Sequence, residues 1–188
     1  MREEKYDKRT CLLEKLKHFS STHPDRGEDV RKVLDFVLST PDCFERRHPA
    51  GHITGSAWLL NPAGDKALMT QHRKLKRWLQ PGGHADGQSD TLAVALREAE
   101  EESGICGITA VSDDIFDIDV HLIPARPGEA AHYHYDVRYL LRAPHEAYVV
   151  SDESDDLAWW GVSDFSAHSG DTDASVLRMA AIVPGITS

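Results

Sequence analysis

GGHADGQSDTLAVALREAEEESGI, Gly82 to Ile105, divides into a glycine-rich turn, a helix and a second turn. At about 100° per residue, Leu92, Ala95, Leu96 and Ala99 form one apolar arc, while Glu98, Glu101 and Glu102 fall within about 100° of one another on a separate face. One face packs and the other gathers carboxylates. Like charges three and four residues apart destabilise a helix by roughly 0.2–0.5 kcal/mol per pair. These also sit near the helix C-terminus, where the dipole opposes negative charge. A cation offsets that cost, and Mg2+ is commonly held by a few carboxylates together with water and substrate phosphate oxygens. Gly82 and Gly83 let the backbone turn tightly between a strand and the helix. Ser89 or Asp90 caps the exposed N–H groups, and Gly104 suits the left-handed position after the last turn, with Ile105 folding back onto the apolar face.

Outward from this stretch, the spacing of Leu12, Leu13, Leu16 and Phe19 predicts a helix over 5–19, and that of Val30, Val33, Leu34, Val37 and Leu38 a second over 28–38. Residues 40–51, with Pro41, Pro49, Gly51 and the basic Arg46, Arg47 and His48, read as a linker. The expected organisation is an N-terminal helical extension, 1–50, and a catalytic domain, 51–188. Beyond the linker come short β-like runs at 52–60, 66–71, 114–123, 132–142 and 157–161, with helices expected only at 90–103 and 173–182. That order predicts a mixed sheet flanked by helices, an α/β or α+β sandwich.

The chain has 188 residues and is 40% hydrophobic, enough for one sizeable core. Its 21 Lys and Arg against 31 Asp and Glu give a net charge of −10, a field that repels nucleic acid and anionic membranes. No apolar run approaches the roughly 18 residues of a membrane span, and the mixed charges of the first residues do not resemble a signal peptide, so a cytoplasmic enzyme is expected. Cys11, Cys43 and Cys106 are too few and too widely spaced for a disulfide framework or zinc knuckle, and read as reduced and structural.

Residues 83–105 resemble the Nudix box: Gly, five residues, Glu, seven residues, then Arg-Glu-aliphatic-any-Glu-Glu-any-Gly-aliphatic. Gly83, Arg97, Glu98, Ala99, Glu101, Glu102, Gly104 and Ile105 match, and Ser89 stands where the family has its first Glu. Asp90 or Asp86 is the candidate to replace it. The competing account, an ordinary solvated acidic helix end, does not explain the fixed glycine and arginine positions. The resemblance covers residues 52 to about 165. It implies a Nudix-type α/β/α sandwich, Mg2+ or Mn2+ held by Glu98, Glu101 and Glu102, and Arg97 orienting the carboxylates. It further implies hydrolysis of a phosphoric anhydride in a small diphosphate-containing molecule.

The general base is either Glu98 or Glu153, the latter in the acidic run Ser151 to Asp156. By the same resemblance, Gly83 and His84 lie in the box's phosphate-facing loop. The basic cluster His72, Arg73, Lys74, Lys76 and Arg77 can grip a distal phosphate, with Lys74 and Arg77 as the candidate contacts; a charged hairpin loop is the plain alternative. Tyr135, Trp58, Trp159 and Trp160 are candidates to stack on a base or sugar, although most large aromatics on strands are core. His132 and His134 share a strand face, and ordinary hydrogen bonding is their simplest reading. Two other functions compete: a nucleotide sensor of the same fold without turnover, and an isopentenyl diphosphate isomerase, for which Cys106 is badly placed. The N-terminal helices can cover a sheet edge, cap the pocket or form a homodimer, and their sequence does not choose.

Overall fold

The computed structural model describes residues 7–73, 75–126, 128–151 and 154–183. Every residue of strand β1 (Gly51–Leu60) is buried, which marks it as a central strand covered on both faces. Strand β7 (His132–Arg142) runs parallel to it over ten paired residues, from Gly51 opposite Tyr133 to Leu60 opposite Arg142. The other pairings are antiparallel: β1 with β2 (Lys66–His72) and with β4 (Gly82–His84), β2 with β3 (Arg77–Leu79) and with β8 (Ser154–Gly161), and β7 with β5 (Thr109–Ala110) and with β6 (Asp117–Ile123). The expected mixed sheet is thus observed.

Alternation along β1 sorts the core into two layers. Ile53, Ala57 and Leu59 face a cluster that includes α1 (Thr10–Thr22), α2 (Gly27–Ser39) and α3 (Thr91–Ser103); Trp58 and Leu60 face another with α4 (Ala174–Ile182) and the 3₁₀ segment Val162–His168. Helix α3 approaches β1 so closely that a Cβ on Gly55 would lie 2.8 Å from the Thr91 carbonyl oxygen and 2.8 Å from Val94 Cγ1. No helix among the described residues is long and apolar enough to cross a membrane.

The structure changes several expectations. Leu38, assigned to the apolar stripe of α2, is 60% exposed; Phe36 is buried instead and stacks on Tyr135 at 4.0 Å. Residues 40–51 are not a free linker, because Cys43 and Phe44 bury their side chains in the core. Their backbone also ties distant segments: the Cys43 carbonyl accepts from the Ile53 N–H (2.8 Å) and the Phe44 carbonyl from the Gly87 N–H (2.8 Å). Strands β3, β4 and β5 escaped the sequence reading because runs of two or three residues carry no periodicity. Of the three cysteines only Cys43 is buried; Cys11 and Cys106 are exposed, so no packing role holds for them.

Candidate functional site

Asp90 accepts a hydrogen bond from the Ala93 N–H (3.2 Å) and caps α3, so that carboxylate is already engaged. The preceding turn has positive φ at Asp86 (47°) and Gly87 (85°), the Asp-Gly pattern suited to such a turn. Gly104 closes the helix in the left-handed region (φ 67°), donating to the Glu100 carbonyl at 2.9 Å, and Ile105 is fully buried.

Between these ends, α3 lies against β4, and the fit explains the glycines. A Cβ on Gly83 would sit 2.3 Å from Glu98 Oε2, so the absent side chain is the space that the carboxylate fills. At Gly82 a Cβ would meet Ser56 Cα at 2.8 Å, where β4 closes on β1. The Gly82 N–H donates to Glu102 Oε1 (2.9 Å), and Glu102 is only 9% exposed. Arg97 Nη1 stands 2.7 Å from Glu98 Oε1 and 3.4 Å from Glu101 Oε2, while Nη2 donates to the His84 carbonyl at 3.0 Å. One guanidinium therefore links two box carboxylates to the loop strand, and Glu101 faces outward.

The remaining sequence candidates scatter. Lys74 and Glu153 lie outside the described residues. Arg77 is exposed on β3. Lys76 pairs with Asp155 at 2.6 Å, and Arg73 lies 3.4 Å from the same carboxylate, so this part of the basic cluster ties the hairpin to the start of β8. Tyr135 has one ring face covered by Phe36, which removes that face as a platform for a base. Trp58 and Trp160 belong to the core, the latter stacked on His168 at 3.9 Å, and Trp159 donates to the Glu146 carbonyl at 2.8 Å.

The sequence reading missed a polar face on the side of the sheet away from α3. There the period of two that joined His132 to His134 continues to Asp136 and Arg138, and recurs as Asp117, Asp119 and His121 on β6. Arg138 is fully buried, bonded to Asp136 at 2.7 Å and to Asp117 at 3.3 Å; the hydroxyls of Thr54 and Ser56 donate to Asp136 at 2.8 and 2.7 Å. Burial opposes charge on His121, but its contact with Asp119 (3.0 Å) and the nearby Asp136 outweigh it and raise its pKa. At the open end of this face five imidazoles gather. His52 and His134 rings are 4.7 Å apart, His52 and His132 5.1 Å, and His52 and His84 5.0 Å. Burial, reinforced by crowding among the rings, lowers the pKa of His52 to about 4 and that of His134 to about 2, and burial also lowers that of His84. His52 and His134 are therefore neutral near pH 7.

Residues 51–178 match the family model described as "NUDIX domain". A protein of Lactococcus lactis subsp. cremoris named "Probable DHNTP pyrophosphohydrolase" is 28% identical over 122 residues, covering 62% of this chain and 70% of its own. A crystal structure of a NUDIX-family hydrolase from Clostridium perfringens superposes with a TM-score of 0.58 at 24% identity, over 73% of this chain and 98% of that one. A C. elegans Ap4A hydrolase gives a TM-score of 0.53 at 19% identity, over 71% of this chain and 96% of that one. At these identities the two structures are similar in fold.

Proposed function

The chain belongs to the Nudix family, and from that premise we propose that it hydrolyses the phosphoric anhydride bond of a small nucleoside diphosphate-linked or related organic pyrophosphate, with Mg2+ or Mn2+ as cofactor. The observation that carries this reading is the assembled box: Gly83 yields its side-chain space to Glu98, Gly82 fixes Glu102, and Arg97 joins Glu98 and Glu101 to the His84 carbonyl. The donor set fits a hard divalent ion, because it consists of carboxylate oxygens on one helix face beside a strand without side-chain bulk. Glu98, Glu101 and Glu102 would hold the ion, which when bound polarises phosphoryl oxygens and lowers the pKa of water.

The chain's own residues divide the remaining work. Arg97 is a positioning residue, since its contacts are to carboxylates and a carbonyl. Gly83 and His84 are the proposed phosphate-facing residues of the loop, although the Glu98 carboxylate fills the side-chain space at Gly83 and Arg97 holds the His84 carbonyl. Glu98 is the proposed proton acceptor and Glu153 the competing one, a choice that Glu98→Gln beside Glu153→Gln decides by which variant loses kcat with KM preserved. Arg77 and Lys74 are the proposed contacts for a distal phosphate, because Lys76 and Arg73 are engaged by Asp155. Phe36 covers one ring face of Tyr135, so its proposed contact with substrate falls to the other face.

The decisive assay is monophosphate and pyrophosphate release from a panel holding DHNTP, Ap4A, nucleoside triphosphates, nucleotide sugars and dinucleotide cofactors, with Mg2+ or Mn2+. The expected outcome is metal-dependent turnover on at least one compound, reduced about a hundredfold or more in Glu101→Gln. Nucleotide binding by calorimetry with no turnover across the panel sinks the hydrolase reading in favour of a sensor.

A further inference from the structure

On the sheet face opposite α3, strand register gathers histidines from four strands. His52 on β1 pairs with His134 on β7, His84 on β4 pairs with Thr54 on the same face, and His121 on β6 pairs with His134 from the other side. One ring nitrogen from each of His52, His132 and His134 lies within 4.8 Å of the other two. We propose that these three imidazoles form a second metal site, distinct from the box carboxylates, which takes one first-row divalent transition ion of the zinc type.

Unmet hydrogen bonding carries the argument. His52 is 1% exposed, and neither of its ring nitrogens has a partner; the Nε2 atoms of His132 and His134 are likewise buried and without partners. Leaving a buried polar atom unpaired is costly, so several within reach of one another call for a shared partner. Hydrogen bonds among the rings leave this demand unmet, and the donor chemistry selects the partner. His132 Nδ1 lies 2.9 Å from the Ala130 carbonyl, which only accepts. In the neutral ring the proton then sits on Nδ1, which leaves the Nε2 lone pair for the cluster. A ring nitrogen held by a backbone carbonyl while the other faces inward is the usual arrangement of a metal-bound histidine.

Neutral imidazole suits Zn2+, Co2+, Ni2+ or Cu2+ rather than Mg2+, which prefers oxygen. Tetrahedral binding at about 2.0–2.1 Å requires nitrogens about 3.3 Å apart, so ring rotations of roughly 1 Å close the present spacing. Glu129 Oε1, 3.8 Å from His132 Nε2, is within reach as a fourth ligand. Entry is open as well, since His132 and Glu129 line a cleft of about 490 Å³ with Arg46, Arg47 and His48. The site abuts the box through His84, whose carbonyl accepts from Arg97.

The test is metal binding by the metal-stripped chain of residues 1–188. Wild type should take up one Zn2+ per chain on dialysis, and should show with Co2+ the ligand-field absorption of a nitrogen-bound ion. Glu101→Gln should keep both. His52→Gln and His134→Gln should each weaken binding about a hundredfold or more, with circular dichroism reporting whether they fold. A direct measurement on wild type guards against unfolded variants: X-ray absorption of the zinc-loaded protein should show about three imidazole nitrogens. Oxygen-only coordination, loss of binding in Glu101→Gln with retention in folded histidine variants, or no uptake at all each overturns the proposal.

Discussion

Gly83 shows how much one missing side chain settles. Its Cβ would overlap the Glu98 carboxyl, so Gly83→Ala forces either the strand or the glutamate aside. The backbone there is not in the left-handed region, hence stability should change by less than about 1 kcal/mol. Catalysis responds to displacements of about 1 Å with losses near a hundredfold, so kcat should fall by about that factor while the melting temperature holds; equal losses in both would refute this separation of roles. Cys43 poses a different question. Burial pushes its thiol up to about 12, with the Arg9 charge only partly opposing this. An unfolded thiol ionises near about 8.5, so between these values the folded state holds the proton more tightly and stability falls as pH rises. The melting temperature should therefore decline above about pH 9, less steeply in Cys43→Ala. At pH 8 iodoacetamide should label the exposed Cys11 and Cys106 and leave Cys43 until the chain unfolds, as mass spectrometry of digests will report.

Helix α3 is held by its cap, its left-handed exit and its packing on β1, and the last of these sets where the glutamates stand. At Gly55 an added methyl meets a backbone carbonyl and a β-branched side chain, neither of which yields easily. Gly55→Ala should cost about 1–3 kcal/mol by overpacking and should shift the whole helix, lowering kcat together with stability. Asp90→Ala, by contrast, removes only the cap and should cost about 0.5–2 kcal/mol with kcat nearly intact in the folded fraction. Urea denaturation and steady-state kinetics on the two variants distinguish helix position from helix stability.

The whole molecule joins segments that the sequence presents as separate. Leu12, Leu16, Phe19, Val30, Val33 and Val37 share one buried cluster with Ile53, Leu59, Val137 and Leu141 of the sheet. Arg26 reaches across to Asp117 at 3.5 Å, and the Phe44 carbonyl holds the box turn at Gly87. We therefore expect a fragment of residues 50–188 to lack a cooperative thermal transition, because removal of the helices uncovers one face of the central strands. A sharp melt of that fragment, at the temperature of the full chain, would instead make residues 1–50 a separable extension.

The box was legible in the sequence because its chemistry is local: the spacing of Arg97, Glu98, Glu101 and Glu102 on a helix, and glycines where turns and close approach require them, follow from residues near one another in the chain. The long strands and four helices were legible for the same reason, each having enough residues to show a period. Arg138 among three aspartates, the imidazoles at the end of β1 and β7, and Phe36 rather than Leu38 in the core became visible only with strand register and helix rotation. These depend on contacts between residues far apart in the chain. His52 and His134 are 82 positions apart and become neighbours only through the parallel pairing of β1 with β7. A period of two tells which residues share a face; the tertiary structure alone tells what that face meets.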